Sequence, residues 1–278
     1  MKTIKTNFLK WIVAATLFIG CAFSSEKNEN IPAKLPTKNL KAEDEHQYQV
    51  ATDYYTYSIY GDFIQKTRFS GLYTSGLPDG KVKWNNAQKS VSTSLEGDYP
   101  KGDKLGFMED FSYTYEDNIL TPEFFESFPF DAVEAKNLVW DMAGMEFFAW
   151  GCTDSLQLNK AYHANEANGK VDLAGLGFFD NRDIILTYRG ITEKNGESLS
   201  IVDFRTMNNP LKINIDLGNQ QMQTKGRSHY WGTIYVSNDH ACFDEIELYE
   251  DVLMETAWSG QEKQLVDVVR EMKVTKIY

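Results

Sequence analysis

The stretch IILTYRGITEKNGESLSIVDFR, residues 184–205, decides the fold. Two runs rich in β-branched and aromatic residues, Ile184 to Thr192 and Glu197 to Arg205, flank the dipeptide Asn195-Gly196. A type I′ turn needs positive φ at both central residues, and Asn-Gly meets that need with little strain, so the stretch reads as a β-hairpin. Working outward, His229 to Val236 and Cys242 to Tyr249 form a second hairpin through Ser237-Asn238-Asp239-His240. Upstream, Tyr54 to Phe69 carries the same strand-forming residues, and Leu77-Pro78-Asp79-Gly80 is turn chemistry. Hairpins that follow one another without helices between them imply antiparallel pairing.

Helical signals are few. Thr121-Pro122-Glu123 places a capping residue, a proline and an acid where a helix begins, and that helix ends near Phe128-Pro129. Asp131 to Trp150 reads equally as helix or strand, because Gly144 and the crowd Phe147, Phe148 and Trp150 oppose a simple helical reading. Ser259-Gly260-Gln261-Glu262 has the form of a capping box, with Leu265, Val268, Val269 and Met272 following at helical spacing. The expected fold is mainly β: an antiparallel curved sheet or barrel with a few short helices and a C-terminal helix.

At the start of the chain, Lys2, Lys5 and Lys10 lead into the apolar run Trp11 to Ile19, which closes on Gly20-Cys21. Nine apolar residues are too few to span a bilayer core of roughly 30 Å as a helix, so residues 1–20 read as an export signal. Leu17-Phe18-Ile19-Gly20-Cys21 resembles the lipobox of bacterial lipoproteins, with Phe18 where that family usually has leucine. The resemblance implies that Cys21 is diacylated and becomes the new N-terminus. It further implies a lipid-anchored protein of the exported bacterial cell envelope, at the outer membrane and facing the periplasm or the cell surface. Residues 21–46 are polar, with the acidic cluster Glu43-Asp44-Glu45, and read as a flexible tether to a single globular domain over 47–278.

Loss of residues 1–20 removes three of 28 basic residues and none of 40 acidic ones, leaving 25 − 40, or a net charge of −15. Such a surface repels phosphate backbones, which argues against nucleic acid as a partner and leaves membrane contact to the lipid on Cys21. With Cys21 lipidated, Cys152 and Cys242 remain; an exported compartment permits a disulfide between them, and two buried thiols are the other reading. His46, His163, His229 and His240 are scattered without metal-ligand spacing, and Gly175-Leu176-Gly177 lacks the third glycine of a dinucleotide fingerprint. No metal and no cofactor is expected, and the sequence leaves the oligomeric state open.

Glu245-Ile246-Glu247-Leu248-Tyr249-Glu250 resembles, in its outer glutamates, the E-x-D-x-x-E strand motif of family 16 glycoside hydrolases, with Glu247 where that family has aspartate. The resemblance implies Glu245 as nucleophile and Glu250 as acid/base, held about 5.5 Å apart. On a regular strand, however, Glu250 falls on the face of Ile246, Leu248 and Val252, and only a bulge at Tyr249-Glu250 brings it round to Glu245. The plain alternative is a strand with Ile246 and Leu248 in the core and its glutamates in water. Arg227, His229, Trp231 and Tyr235 share one strand face and form a candidate grip for an acidic sugar or a lipid headgroup, or else a solvated outer face.

Phe124, Phe125, Phe128, Phe130, Trp140, Phe147, Phe148 and Trp150 crowd one segment. Laid across the concave side of a curved sheet, they either complete a solid core or line an apolar cavity, with Phe147 and Phe148 as candidate ligand contacts. A curved sheet with short helices is similar in architecture to the LolA and LolB lipoprotein carriers, and that likeness implies a cavity for acyl chains. The functional expectation is a noncatalytic binding or carrier module for a lipid or other apolar ligand. The alternatives are a glycan-binding protein or family 16-like hydrolase, and a structural or assembly lipoprotein.

Overall fold

The first and last strands of the domain meet in the middle of one large sheet. The computed structural model describes Pro32, Lys34, Leu35 and residues 45–278 other than Asp131, Leu217, Asn219 and Ala241, so residues 1–20, read above as an export signal, and Cys21 lie outside the described residues. The strands are β1 (His46–Ser58), β2 (Phe63–Ser75), β3 (Lys81–Ser92), β4 (Asp103–Lys104), β5 (Phe111–Thr114), β6 (Ala161–His163) and β7 (Gly169–Asp172). They continue as β8 (Gly177–Asn181), β9 (Ile185–Lys194), β10 (Glu197–Arg205), β11 (Asn209–Asp216), β12 (Gln221–Ser237), β13 (Phe243–Trp258) and β14 (Gln264–Ile277). The order is β4-β3-β2-β1-β14-β13-β12-β10-β9-β6, and the curved sheet does not close into a barrel. Every pairing between these strands is antiparallel.

Strand β12 is long enough to serve two neighbours. Its first half pairs with β11 and its second half with β10. Strands β8 and β7 continue outward from β11. The Asn195-Gly196 hairpin forms as expected: the two residues have φ of 54° and 79°, the mirror-image turn that matches the twist of β9 and β10. The second hairpin also forms, with β12 and β13 paired from Met222↔Trp258 to Val236↔Phe243.

The segment with two readings is helix α1 (Val133–Glu146), extended by a π turn over Phe147–Gly151. Ala135, Leu138, Val139, Met142 and Met145 recur at helical spacing and are all buried. Its helix formers outweigh Gly144, around which there is open space. Upstream, the expected helix after Pro122 is a single 3₁₀ turn, Glu123–Phe125.

The expected C-terminal helix is absent; residues 264–277 are strand β14. Its buried positions include Val268, Arg270, Met272 and Val274, a period of two rather than 3.6. Arg270 interrupts the apolar series and hides the alternation, while the β-branched valines favour extended backbone. Ser259-Gly260 lies in the β13–β14 turn, where Gly260 has φ of 76°.

The core lies between the concave face and α1, with Tyr48, Tyr73, Trp84, Phe243 and Ile246 fully enclosed. Phe124 and Phe128 pack edge to face with Phe111 and with Phe125, so this part of the aromatic segment completes a solid core. Three residues from the stretch read as tether join the domain: Leu35 is buried in the core, Lys34 bridges to Gln157 and His46 opens β1.

Candidate functional site

Beneath the rest of α1 the core is not solid. A cavity of about 830 Å³ separates the helix from the sheet, within the roughly 300–1,000 Å³ typical of small-molecule sites. Its sheet wall follows the pleat: Leu248, Glu250, Val252 and Met254 from β13, Val266, Val268 and Arg270 from β14, and Leu211, Ile213 and Ile215 from β11. The helix contributes Asn137, Trp140, Asp141, Met145, Phe147 and Phe148. Toward the β1–β2 and β13–β14 turns the lining continues through Thr56, Gln65, Thr256 and Val266.

Register places a row of polar side chains across the middle of this face. Tyr54 of β1 stands opposite Arg270 of β14, Arg270 opposite Glu250 of β13, and Glu250 opposite Tyr230 of β12. On one side of the row lie Met272, Val274 and Ile246 of the solid core, and on the other Val268 and Val252 face the cavity. Arg270 donates from Nε to Thr52 at 3.2 Å, from Nη1 to Glu250 at 2.9 Å and from Nη2 to Asp141 of α1. Ser228 Oγ donates to Glu250, Tyr230 OH donates to Asn181 at 3.0 Å, and Asn137 Nδ2 donates to Tyr54 OH at 3.4 Å. The row and the Arg270–Asp141 pair therefore fasten the helix to the sheet.

Burial sets the protonation of this cluster. It pushes the Asp141 carboxyl up to about 6; Arg270 opposes the rise and Glu250 adds to it. Burial alone would lower the Arg270 guanidinium, but Asp141, Tyr54 and Glu250 hold it above its ordinary value. The Tyr54 and Tyr230 hydroxyls are raised by burial and stay neutral.

The residues singled out in the sequence are not brought together. Strand β13 continues in regular register through Tyr249-Glu250, with its irregularity at Phe243–Glu245 instead. Glu250 faces inward to Arg270, whereas Glu245 faces outward, ion-paired with Lys194 and Lys273 at 2.7 and 2.5 Å. Opposite faces of one strand cannot flank a scissile bond, so the proposed catalytic pair Glu245 and Glu250 is not assembled. Nor does the plain alternative hold in full, because Glu250 is buried in the charged row rather than in water.

Arg227, His229 and Trp231 lie on the outer face, away from the cavity. Arg227 bonds to Asn208, and His229, Trp231 and Tyr249 stack in sequence with centroid separations of 4.9 and 6.0 Å. Phe147 and Phe148 do line the cavity; Phe148 is buried against Phe204, while Phe147 is 39% exposed.

Cys152 and Cys242 are separate buried thiols, not a disulfide. Cys152 donates to Glu166 at 3.3 Å and Cys242 accepts from Lys276 Nζ at 3.3 Å, so each faces its own polar partner. Burial and Glu166 push the Cys152 thiol up to about 12, which removes it as a nucleophile. Among the described residues no three of His, Cys, Asp and Glu are grouped to hold a metal ion.

Arg270, Asp141, Tyr54 and Tyr230 escaped the sequence reading. One signal for Arg270 was available: a lone arginine at a buried-phase position of a valine-rich alternating run. Compared with models of known protein families and with curated proteins, the chain gives no match.

Proposed function

We propose that this protein is a noncatalytic binding or carrier module for a lipid or other apolar ligand, held at the cell envelope through a lipidated Cys21. The observation that carries the reading is the cavity of about 830 Å³ between α1 and the sheet, with valine, leucine, isoleucine and aromatic side chains forming most of its wall. Such a space left to water would expose a large apolar area, and an apolar ligand relieves that cost. The open sheet curved around one helix also fits the architectural likeness to LolA and LolB carriers. Phe147, half exposed and at the C-terminal end of α1, serves as a lid residue.

Native mass spectrometry of the full chain tests the reading. A lipid-sized adduct present under native conditions and lost on denaturation supports it, and the acyl groups on Cys21 are distinguished because they persist. Phe147→Asp should weaken binding of a neutral fluorescent probe, N-phenyl-1-naphthylamine, by about tenfold or more. Unchanged uptake by the variant, or no binding by the parent protein, overturns the proposal.

A further inference from the structure

The charges that face the cavity do not balance. Four of its lining residues carry charge: Glu134, Asp141, Glu250 and Arg270, three carboxylates against one guanidinium. Arg270 already donates to Thr52, Glu250 and Asp141 and has its guanidinium 5.3 Å from the centre of the Tyr54 ring, so its charge is spent on two carboxylates of the protein's own. Among the described residues neither lysine nor histidine lines the space. With its carboxylates ionised the wall therefore carries an excess of two negative charges, set in apolar surroundings where Coulombic terms are several times larger than in water. A carboxylate or phosphate head drawn inside would lose its hydration beside like charges. An ammonium head would meet carboxylates instead, in a cavity also lined by the rings of Trp140, Phe179 and Tyr230, whose faces attract cations.

We infer that the ligand of this cavity is a cationic amphiphile, a long apolar body ending in an amine or quaternary ammonium, and that the carboxylates of Glu134 and Asp141 select it over anionic lipids. The inference rests on the apolar-cavity reading. Its charge argument is separate from that reading, because shape alone would accept an acyl chain with any head.

A matched series separates the two. Hexadecyltrimethylammonium, hexadecanol and hexadecanoate, each below its micelle concentration, would compete with N-phenyl-1-naphthylamine for the full chain at pH 7.5. The cation should bind at least about tenfold more tightly than the carboxylate, with the alcohol between them. Glu134→Gln, at a half-exposed position, and Asp141→Asn should each narrow the cation-to-carboxylate ratio several-fold. Hexadecanoate binding as tightly as the cation, or a ratio unmoved in both variants, overturns the charge inference while leaving the cavity reading intact. Failure of the probe and of all three competitors to bind overturns both.

Discussion

Glu146, at the end of α1, should make the protein less stable as the pH rises, and Glu146→Gln should abolish that dependence. The side chain is buried; its Oε1 accepts from Tyr73 OH at 2.9 Å and Tyr115 OH at 3.2 Å, and Oε2 has no hydrogen-bond partner among the described residues. Burial pushes its carboxyl from 4.5 up to about 8, outweighing the two hydroxyls that favour the charged form. Between those values the folded protein keeps a proton that the unfolded chain has released, so stability declines with pH across that window and is independent of this group below it. At pH 7 the gap of 2.5 units above the unfolded value amounts to about 3 kcal/mol lost relative to acid conditions. Glutamine keeps the acceptor for both tyrosines and carries no such linkage. Urea unfolding followed by tryptophan fluorescence, at intervals from pH 5 to 8, would compare the two proteins. The parent should lose about 2.5 kcal/mol more than the variant between pH 5 and 7, with Asp141 titrating equally in both. Parallel profiles would refute the reasoning, since they would mean that Glu146 ionises in the fold without penalty.

Two further perturbations test the framework of the cavity. Arg270→Met strands Asp141 and Glu250 as two buried carboxylates and should cost about 3–5 kcal/mol in urea unfolding at pH 7.5, with part recovered by adding Asp141→Asn; a loss under about 1 kcal/mol would show that the row does not hold helix to sheet. Gly177→Ala should lower the melting temperature through a loss of about 2–4 kcal/mol, because Gly177 has φ of 148° and a Cβ there would sit 1.9 Å from the Lys212 carbonyl oxygen; an unchanged transition would refute the close β8–β11 approach.

Legibility in the sequence tracked how local each cause was. The turn at Asn195-Gly196 depends on the dihedral preferences of two residues, and it formed where expected. Residues 264–277 were misread because Leu265, Val268, Val269 and Met272 satisfy a helical template, while the real alternation runs through a charged residue that only a partner on another strand makes tolerable inside. For α1 the helical spacing of Ala135, Leu138, Val139 and Met142 was present, but the neighbouring aromatics concealed it. The pair Glu245 and Glu250 was written at a spacing that either a bulged or a regular strand could realise, and the regular strand sends them to opposite faces.

By itself the sequence determined that the chain is mainly β, that its hairpins are antiparallel, and where its sharpest turns fall, because these follow from side-chain sterics within a few residues. Only the tertiary structure decided which strand face became concave and that Tyr54, Arg270, Glu250 and Tyr230 form one row. It also decided that a cavity, rather than solid packing, lies beneath α1. These depend on register and curvature across strands far apart in the chain, and a one-residue slip in any pairing would turn the row outward.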